Sequence, residues 1–561
     1  MKIVERAYAE ADRRALMEAG VHPLLARIYA ARRIRSASEL KYESTSLLSP
    51  ALLKSIHDAA ALLADAIEAK KRLLIVADYD ADGATACALG LRALRLFGAS
   101  ADYLVPDRFK LGYGLSVDLV ELAAQRKPDL LITVDNGIAS VEGVARANAL
   151  GIATLITDHH LPGDELPAAA CIVNPNQPGC NFPSKALAGV GVMFYVMLAL
   201  RGELRRRSLF PGGKEPNLGA LTDLVALGTI ADVVPLDANN RNLVAQGLKR
   251  LRAGRGQPGV MALLRAAGRR LEEASSFDLG FVAGPRLNAA GRLADMSLGI
   301  ECLIADDEAR AANLAQQLDR LNAERRTIEA GMLERALEIV STLEPGAGSV
   351  FYDADWHQGV VGILASRLKD RVHRPVICFA RGEESARAVL RGSGRSIAGL
   401  HLRDCLDLVS KRAPGLIARF GGHAMAAGLT IAERDYARFC AAFGAAVDEL
   451  LPAEARLRTV ETDGALEHAH CTLEVARMLD GEIWGQGFPQ PVFCDNFAVE
   501  NQRVVGERHL KLRLVKDGRR YEAMRFGALE PLPQKVRAAY RLAVSDFNGL
   551  KNIQLTVEHF E

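Results

Sequence analysis

This chain lacks paired cysteines, excess charge and long apolar runs. Its nine cysteines are scattered, and no two stand in a CxxC pair. That argues against a zinc ribbon or a disulfide framework and fits a reducing compartment. Seventy Lys and Arg against 68 Asp and Glu leave a formal charge of +2. Bulk charge gives no attraction to a polyanion, so such a partner has to be held by a local basic groove. The N-terminal MKIVERAYAEADRR has no signal-peptide apolar core. No apolar run reaches membrane-spanning length; the nearest, LAGVGVMFYVMLAL at 187–200, reads as a buried helix. These absences predict a cytoplasmic protein with no membrane partner.

What is present is the balance of a globular protein, 49% hydrophobic and 25% charged. A length of 561 residues exceeds one ordinary core and predicts three or four domains. Residues 1–70 read as helical. There Ser49-Pro50 supplies an N-cap and a first-turn proline ahead of LLKSIHDAAALLADAIEA, whose apolar residues recur at helical spacing. From 71 to about 175, the runs LLIVA, ADYLV, LLITV, ATLIT and ACIVN alternate with helix-like stretches. Alternation of this kind predicts an α/β fold with a parallel sheet covered on both faces and a site beyond the C-terminal strand ends. Residues 185–300 read as mostly helical, and 306–343 as one long charged helix suited to connecting domains. A second, smaller α/β pattern occupies 347–450, and strand-like alternation after LPAEAR (451–456) predicts a small β-barrel.

Three of the apolar runs end on acids. LLIVA leads into Asp78, Asp80 and Asp82, LLITV into Asp135, and LIT into Asp158, His159 and His160. In an extended loop the i, i+2 acids would share one side, with Gly83 permitting a tight turn into the next helix. Adjacent histidines diverge, so one can ligate a metal while its neighbour faces the substrate. Carboxylates with imidazole and no thiolate suit Mn²⁺ or Mg²⁺. So many carboxylates together repel unless cations neutralise them, and a pair of divalent ions bridged by one carboxylate is the usual answer in phosphoryl transfer. Singly, each acid reads as a solvated loop or capping residue; their joint occurrence at three strand ends reverses that. In LTDLVALGTIADVVPL (221–236), Asp223 and Asp232 would face opposite sides of one helix. Only one can reach the site. Asp232, beside the helix end imposed by Pro235, is favoured, leaving Asp223 as a surface or capping acid.

These strings, with GPRLNAAGRL (284–293), RGSGRS (391–396), RFGGHAMAAGLT (419–430) and the C-terminal β region ending in GLKNIQLTVEHF, resemble the DHH phosphoesterase superfamily, above all its RecJ single-stranded-DNA exonucleases. The resemblance spans most of the chain in the family's order. It implies an N-terminal helical segment (1–70), a DHH catalytic domain (71–305), a connecting helix (306–345), a DHH-associated domain binding nucleic acid (346–451) and an OB-fold domain (452–561). It further implies that Asp80, Asp82, Asp135, His159 and Asp232 are metal ligands with Asp135 bridging. Asp158 would sit beside the metals and orient or ligate, His160 would contact the scissile phosphate, and Asp78 is a further catalytic candidate. Arg292 would bind phosphate and Arg108 would lie where the strand's terminal phosphate is held, while Ser393, Arg395 and His423 would grip the nucleic-acid backbone. Physics allows these roles: arginine forks match phosphate oxygens, and glycines around Ser393 admit close approach of an anion. Arg108 or Arg292 could equally be a surface ion-pair residue, and His423 a buried structural histidine. The chain departs from the family at EIWGQGFPQP (482–491), where Trp484 precedes the glycine and Phe488 stands where asparagine is common; it lies far from the metal motifs.

The expected function is therefore a 5′-to-3′ exonuclease releasing 5′-mononucleotides from single-stranded DNA in repair and recombination. It would use two Mn²⁺ or Mg²⁺ ions, act as a monomer, and work with a helicase and a single-strand-binding protein. Arg503, Arg508, Lys511, Arg513, Arg519, Arg520 and Tyr521 could bind the strand on the OB-like region, and Lys249, Arg250, Arg252, Arg255, Arg269 and Arg270 could form another groove wall. The alternatives are a DHH phosphodiesterase acting on short oligonucleotides or cyclic dinucleotides, and a non-enzymatic scaffold, against which the intact ligand positions argue.

Overall fold

Five short runs bounded by polar turns become strands, four of them largely buried and the second half-exposed at the sheet edge. They are β2 (Arg72–Ala77), β3 (Ser100–Leu104), β4 (Leu130–Val134), β5 (Ala153–Thr157) and β6 (Cys171–Val173), following an N-terminal β1 (Lys2–Glu5). The computed structural model describes residues 2–107, 112–342, 348–384, 387–547 and 550–561. Strands β2 to β6 form a parallel sheet in the order β3-β2-β4-β5-β6. Every residue of β4 is buried, as a central strand with helices on both faces requires.

The helices that matter to the site are α1 (Ala81–Leu96), α2 (Gly189–Arg206), α3 (Thr222–Ala231), α4 (Ala238–Arg252) and α5 (Gly284–Leu293). Helix α2 contains most of the 187–200 apolar run and is buried along its first nine residues. Among the described residues no single helix is long and apolar enough to cross a membrane. A 35-residue helix, α6 (Glu308–Thr342), follows.

The chain divides into two compact units. One holds Glu5–Asn322 together with Asp463–Phe560. Its main hydrophobic cluster extends from Leu16 through the sheet residues Ile75, Ile132 and Leu155 to Phe493, Tyr540 and Val557. The other unit centres on Ala323–Thr462. It contains β7 (Ser349–Tyr352), α7 (Val361–Val372), β8 (Val376–Glu384), β9 (Arg387–Arg395), β10 (Arg419–Gly422) and β11 (Ala426–Ala432). The sheet is mixed, in the order β10-β11-β9-β8-β7, over a core that includes Phe379, Phe439 and Phe443. Within the first unit, β13 (Phe493–Val505), β14 (His509–Lys516), β15 (Arg519–Arg525), β16 (Lys535–Phe547) and β17 (Leu550–Phe560) close a barrel, sealed by a parallel β15–β17 pairing. Five strands closed in this way are the OB architecture.

Residues 1–70 are mostly helical as expected, over Glu10–Glu18, Pro23–Ala30 and Ile56–Glu68 among others, and depart from the reading at two places. The chain opens with a strand, β1, paired with β12 (Thr459–Thr462). The helix foreseen from Ser49-Pro50 stops after one 3₁₀ turn, Pro50–Leu52, which Ser49 caps by accepting from Ala51 N at 3.3 Å. Leu53 is then drawn into the core, Lys54 N–H donates to Cys180 Sγ at 3.5 Å, and Ser55 turns left-handed before a helix runs over Ile56–Glu68. Tertiary burial outweighs the helical spacing here.

Gly228 on α3 marks how tightly α1, α2 and α3 meet. A Cβ there would lie 2.2 Å from Thr85 Oγ1, 2.7 Å from Val190 Cγ1 and 2.8 Å from Asp82 Oδ1. Gly228→Ala is expected to destabilise the protein by about 1–3 kcal/mol, measured by urea unfolding; a midpoint unchanged from the parent would contradict this packing.

Candidate metal centre at the strand ends

Each of β2, β4 and β5 stops on acids because parallel strands point their C-termini to one edge, where chain polarity reverses into loops and helices. Asp78 follows β2 directly and is buried. Asp80 is the N-cap of α1, its Oδ1 accepting from Asp82 N at 2.9 Å and Gly83 N at 3.0 Å. Asp82 lies in the first turn, where its two oxygens accept from Gly189 N at 2.6 Å and Val190 N at 2.9 Å at the start of α2. The i, i+2 expectation of one shared side holds for Asp78 and Asp80, whose ligand atoms lie within 4.8 Å of one another, and is corrected at Asp82, because capping starts the helix at Asp80 and turns Asp82 toward α2. Gly83 is not a turn glycine either. It lies inside the helix, where a Cβ would sit 2.5 Å from the Asp78 carbonyl oxygen.

Asp135 has φ +62°, a left-handed conformation that Asp tolerates better than most residues and that clusters at functional sites. Its N–H donates to Thr157 O at 3.0 Å, and the next residue, Asn136, donates from Nδ2 to Val134 O at 2.9 Å and Val76 O at 3.2 Å. The side chain is seated against Gly189, where a Cβ would be 2.7 Å from Asp135 Oδ1.

These elements bring the acids and histidines into overlapping groups with ligand atoms within 4.8 Å of one another: Asp78, Asp80 and Asp135; Asp82, His159 and Asp232; and Asp135, His159 and His160. His159 Nε2 lies 3.1 Å from Asp135 Oδ1, 3.5 Å from Asp232 Oδ2 and 3.9 Å from Asp82 Oδ2. Asp135 thus stands between the Asp78 side and the Asp232 side. Asp232 ends α3 at its C-cap. Asp223, at the other end of α3, is fully buried, not a surface acid, and accepts from Gln257 N at 2.5 Å ahead of the helix Pro258–Ala266.

Asp158 is saturated by donors. Oδ2 accepts from Ile138 N at 2.9 Å, and Oδ1 accepts from His159 N at 2.7 Å, His160 N at 3.1 Å and His160 Nδ1 at 2.8 Å. Burial opposes its charge, but the His160 bond and both imidazoles outweigh it and hold the carboxyl below its usual range. Burial would likewise lower His160, yet Asp158, with Asp78 and Asp80, raises it to about 9. The remaining acids go the other way. Burial and the Asp80 charge push Asp82 up to about 7, and burial with neighbouring carboxylates raises Asp135 and Asp232 well above the normal range.

Those raised carboxyls, carrying oxygen and imidazole donors and no thiolate, are the donor set of a hard divalent cation. Asp135 Oδ1 is buried and has no hydrogen-bond partner among the described residues, as an oxygen kept for a metal would be. The residues present therefore fit Mn²⁺ or Mg²⁺.

Helix α5 lies on the Asp78–Asp80 loop. Asn288 Oδ1 accepts from Ala81 N at 2.9 Å, and a Cβ at Gly291 would be 2.0 Å from Tyr79 O, which seats half-buried Arg292 next along the helix. Arg108 lies outside the described residues. In the other unit, Ser393 and Arg395 share a face of β9, with Arg395 Nη1 donating to Ser393 Oγ at 3.1 Å, and Gly362 of α7 approaches both. His423 sits in the hairpin between β10 and β11, its N–H donating to Ala426 O at 2.8 Å; β11 pairs with β9, Gly428 opposite Ser393. On the barrel, Arg503, Lys511 and Arg513 line a cavity of about 110 Å³ with Asn501, Leu512 and Glu522.

Sequence reasoning missed Tyr113, Asn288 and Gly189. The Tyr113 hydroxyl donates to Asp135 O at 3.3 Å and lies 3.3 Å from His160 Nε2. Its KLGYGL setting carries no strand or helix signal. Asn288 and Gly189 were legible only as parts of the strings GPRLNAAGRL and LAGVGV.

Comparison with known proteins places this geometry. Residues 72–229 match the DHH family, N-terminal domain, 339–449 the DHHA1 domain, and 462–559 the RecJ OB domain. The chain is 48% identical over 567 residues to the single-stranded-DNA-specific exonuclease RecJ of Escherichia coli (strain K12), covering 98% of each chain. It is 49% identical over 552 residues to RecJ of Dickeya dadantii (strain 3937), covering 96% of this chain and 95% of that one. The crystal structure of RecJ in complex with Mn²⁺ from Thermus thermophilus superposes with a TM-score of 0.84 at 30% identity, covering all of this chain and 79% of that one. The Mg²⁺ complex from the same organism gives 0.78 at 29% identity, covering all of this chain and 78% of that one. With DHH, DHHA1 and RecJ OB domains in order, the strand-end aspartates grouped and near-complete alignment to these relatives, the chain belongs to the RecJ family of DHH phosphoesterases.

Proposed function

We infer that this protein is a metal-dependent exonuclease that hydrolyses phosphodiesters of single-stranded DNA. The observation that carries the reading is the pair of ligand groups flanking Asp135, in a chain aligned almost end to end with single-stranded-DNA-specific exonucleases. Asp80, Asp82, Asp135, His159 and Asp232 would hold two Mn²⁺ or Mg²⁺ ions, with Asp135 shared. Asp78, expected beside the chemistry, stands among the Asp80 and Asp135 ligand atoms and is proposed to support that side. Bound ions supply a water of lowered pKa and neutralise charge gathering on the phosphate.

The chain's own groups do the rest. Asp158, bonded to His160 Nδ1 at 2.8 Å, would orient the ring so that it can donate toward a non-bridging oxygen of the scissile phosphate. Asp158 is then a positioning acid, because its oxygens are already committed to N–H donors. Arg292 and Arg108 would take phosphates near the strand end, and Ser393, Arg395 and His423 the backbone further along. The barrel's cationic strands would track the strand as OB-folds do. Release of 5′-mononucleotides with 5′-to-3′ polarity, in repair and recombination, is the reading that family membership favours. Single-strand specificity calls for a helicase to open duplex and a single-strand-binding protein to present the product, and the protein would act as a monomer. Nine cysteines without a disulfide support a cytoplasmic setting. Presence of the barrel speaks against an enzyme confined to dinucleotides.

End-labelled single strands are expected to release mononucleotides only with Mn²⁺ or Mg²⁺, and Asp135→Asn is expected to lower the rate by about a hundredfold or more. Metal-independent release, or a fully active Asp135→Asn, would overturn the enzyme reading. Comparison with a dinucleotide substrate separates the phosphodiesterase alternative.

The raised carboxyls also set a pH dependence. Asp82 titrates at about 7 when folded and near 4 when unfolded. Between those values the folded state binds the extra proton, so metal-free stability falls as pH rises, and the whole cost is present above about 7. Cations relieve that cost. The rise in Tm on adding Mn²⁺ should therefore be larger at pH 8 than at pH 6, by differential scanning calorimetry. An equal or smaller rise at pH 8 would contradict it.

A further inference from the structure

The string EIWGQGFPQP is remote in sequence from every metal motif. It packs against the turn that follows Asp232. Leu236 N–H donates to Gln486 O at 2.8 Å. Gly485 and Gly487 permit the approach: a Cβ at Gly485 would be 2.7 Å from Leu236 Cδ1, and one at Gly487 3.4 Å from Pro235 Cβ. We propose that this segment, together with Arg241 of α4, is a clamp that positions Asp232 for metal binding. The proposal rests on the metal reading above.

The need for a clamp is visible at Val233. Its φ is +62° and the residue is 61% exposed. A β-branched residue is a genuine outlier in that conformation, and its own burial does not stabilise it. Asp232, one residue earlier, caps α3, its N–H donating to Gly228 O at 2.9 Å, so the strained turn starts directly at the ligand and, in this proposal, is held from outside. The grip falls on the next residues. Asn240 Nδ2 donates to Pro235 O at 3.0 Å, and Arg241 Nη1 donates to Leu236 O at 2.9 Å. Arg241 is buried, and its guanidinium lies 4.4 Å over the Phe488 ring.

The clamp is itself immobilised. Trp484 and Phe488 stack with centroids 5.5 Å apart, and Phe488 stacks on Tyr29 at 6.0 Å. Trp484 O accepts from Ser276 Oγ at 2.7 Å, and its Nε1 donates to Leu479 O at 2.6 Å. Arg32 lies 5.3 Å over the Trp484 ring and donates to Pro489 O at 2.8 Å. Trp484 and Phe488 thus fix the far wall of the Asp232 turn. Residues behind a ligand commonly set its affinity.

The test titrates Mn²⁺ into the full-length protein by calorimetry. Phe488→Leu keeps an apolar side chain but removes the ring face under Arg241. It should weaken binding of one ion by about tenfold while the thermal transition stays cooperative. Adding Val233→Gly to that variant should restore affinity to within about twofold, because glycine adopts the left-handed turn without strain. A purely structural role for Phe488 would not respond to a change at Val233. Arg241→Met gives the same readout should Phe488→Leu fail to fold. Parental affinity in the folded clamp variant, or loss that Val233→Gly does not restore, overturns the proposal. Absence of Mn²⁺ binding in the parent, with Asp232→Asn as control, would instead overturn the metal reading.

Discussion

Mutual repulsion among buried carboxylates is the constraint on which the rest of this structure depends. Asp78, Asp82, Asp135 and Asp158 are buried at adjoining strand ends, with Asp80 and Asp232 beside them. In a low-dielectric setting such charges cannot coexist without donors or cations. The fold sorts them. Asp158 receives three backbone N–H groups and an imidazole, and stays ionised. Asp82 receives two N–H groups from the start of α2, which is not enough to keep its pKa low. Asp135 and Asp232 receive less, and their carboxyls rise furthest. What the protein leaves unneutralised is what a pair of divalent ions would neutralise, so the site is incomplete by construction.

Meeting that constraint shapes the surrounding backbone. Two positions beside the acids are left-handed without being glycine, Asp135 and Val233. Glycines occur where a side chain would fill the site, as at Gly83 against Asp78, Gly189 against Asp135 and Gly291 against Tyr79. Elements far apart in sequence supply the support: α5 through Asn288, and the segment before the barrel through Gln486. The barrel and the parallel sheet share one hydrophobic cluster, which gives the barrel and the strand-end site a common foundation.

Legibility in the sequence followed the range of the interactions. The parallel sheet was readable because strands buried on both faces are continuously apolar, and the acids ending them were readable because strand ends are where such sheets place polar groups. The long helix and the barrel declared themselves through period. The details that failed were decided by tertiary contact. Ser49-Pro50 carries a sound helix-start signal, yet burial of Leu53 breaks the helix before Ile56. The spacing of Asp78, Asp80 and Asp82 could not reveal that Asp80 caps a helix and turns Asp82 toward α2. That Asp223 is buried was unreadable because its partner, Gln257, lies beyond α4. The tryptophan and phenylalanine of WGQGF registered only as an irregular turn, since their neighbours Tyr29, Arg32 and Arg241 come from distant parts of the chain.

The central claim is that this edge of the sheet holds two cations around one shared aspartate. Anomalous diffraction from crystals soaked in Mn²⁺ tests it most directly. The account predicts two peaks roughly 3.5–4 Å apart, one beside Asp78 and Asp80 and the other beside Asp82, His159 and Asp232, with Asp135 between them. A single peak, or peaks away from Asp135, would contradict it.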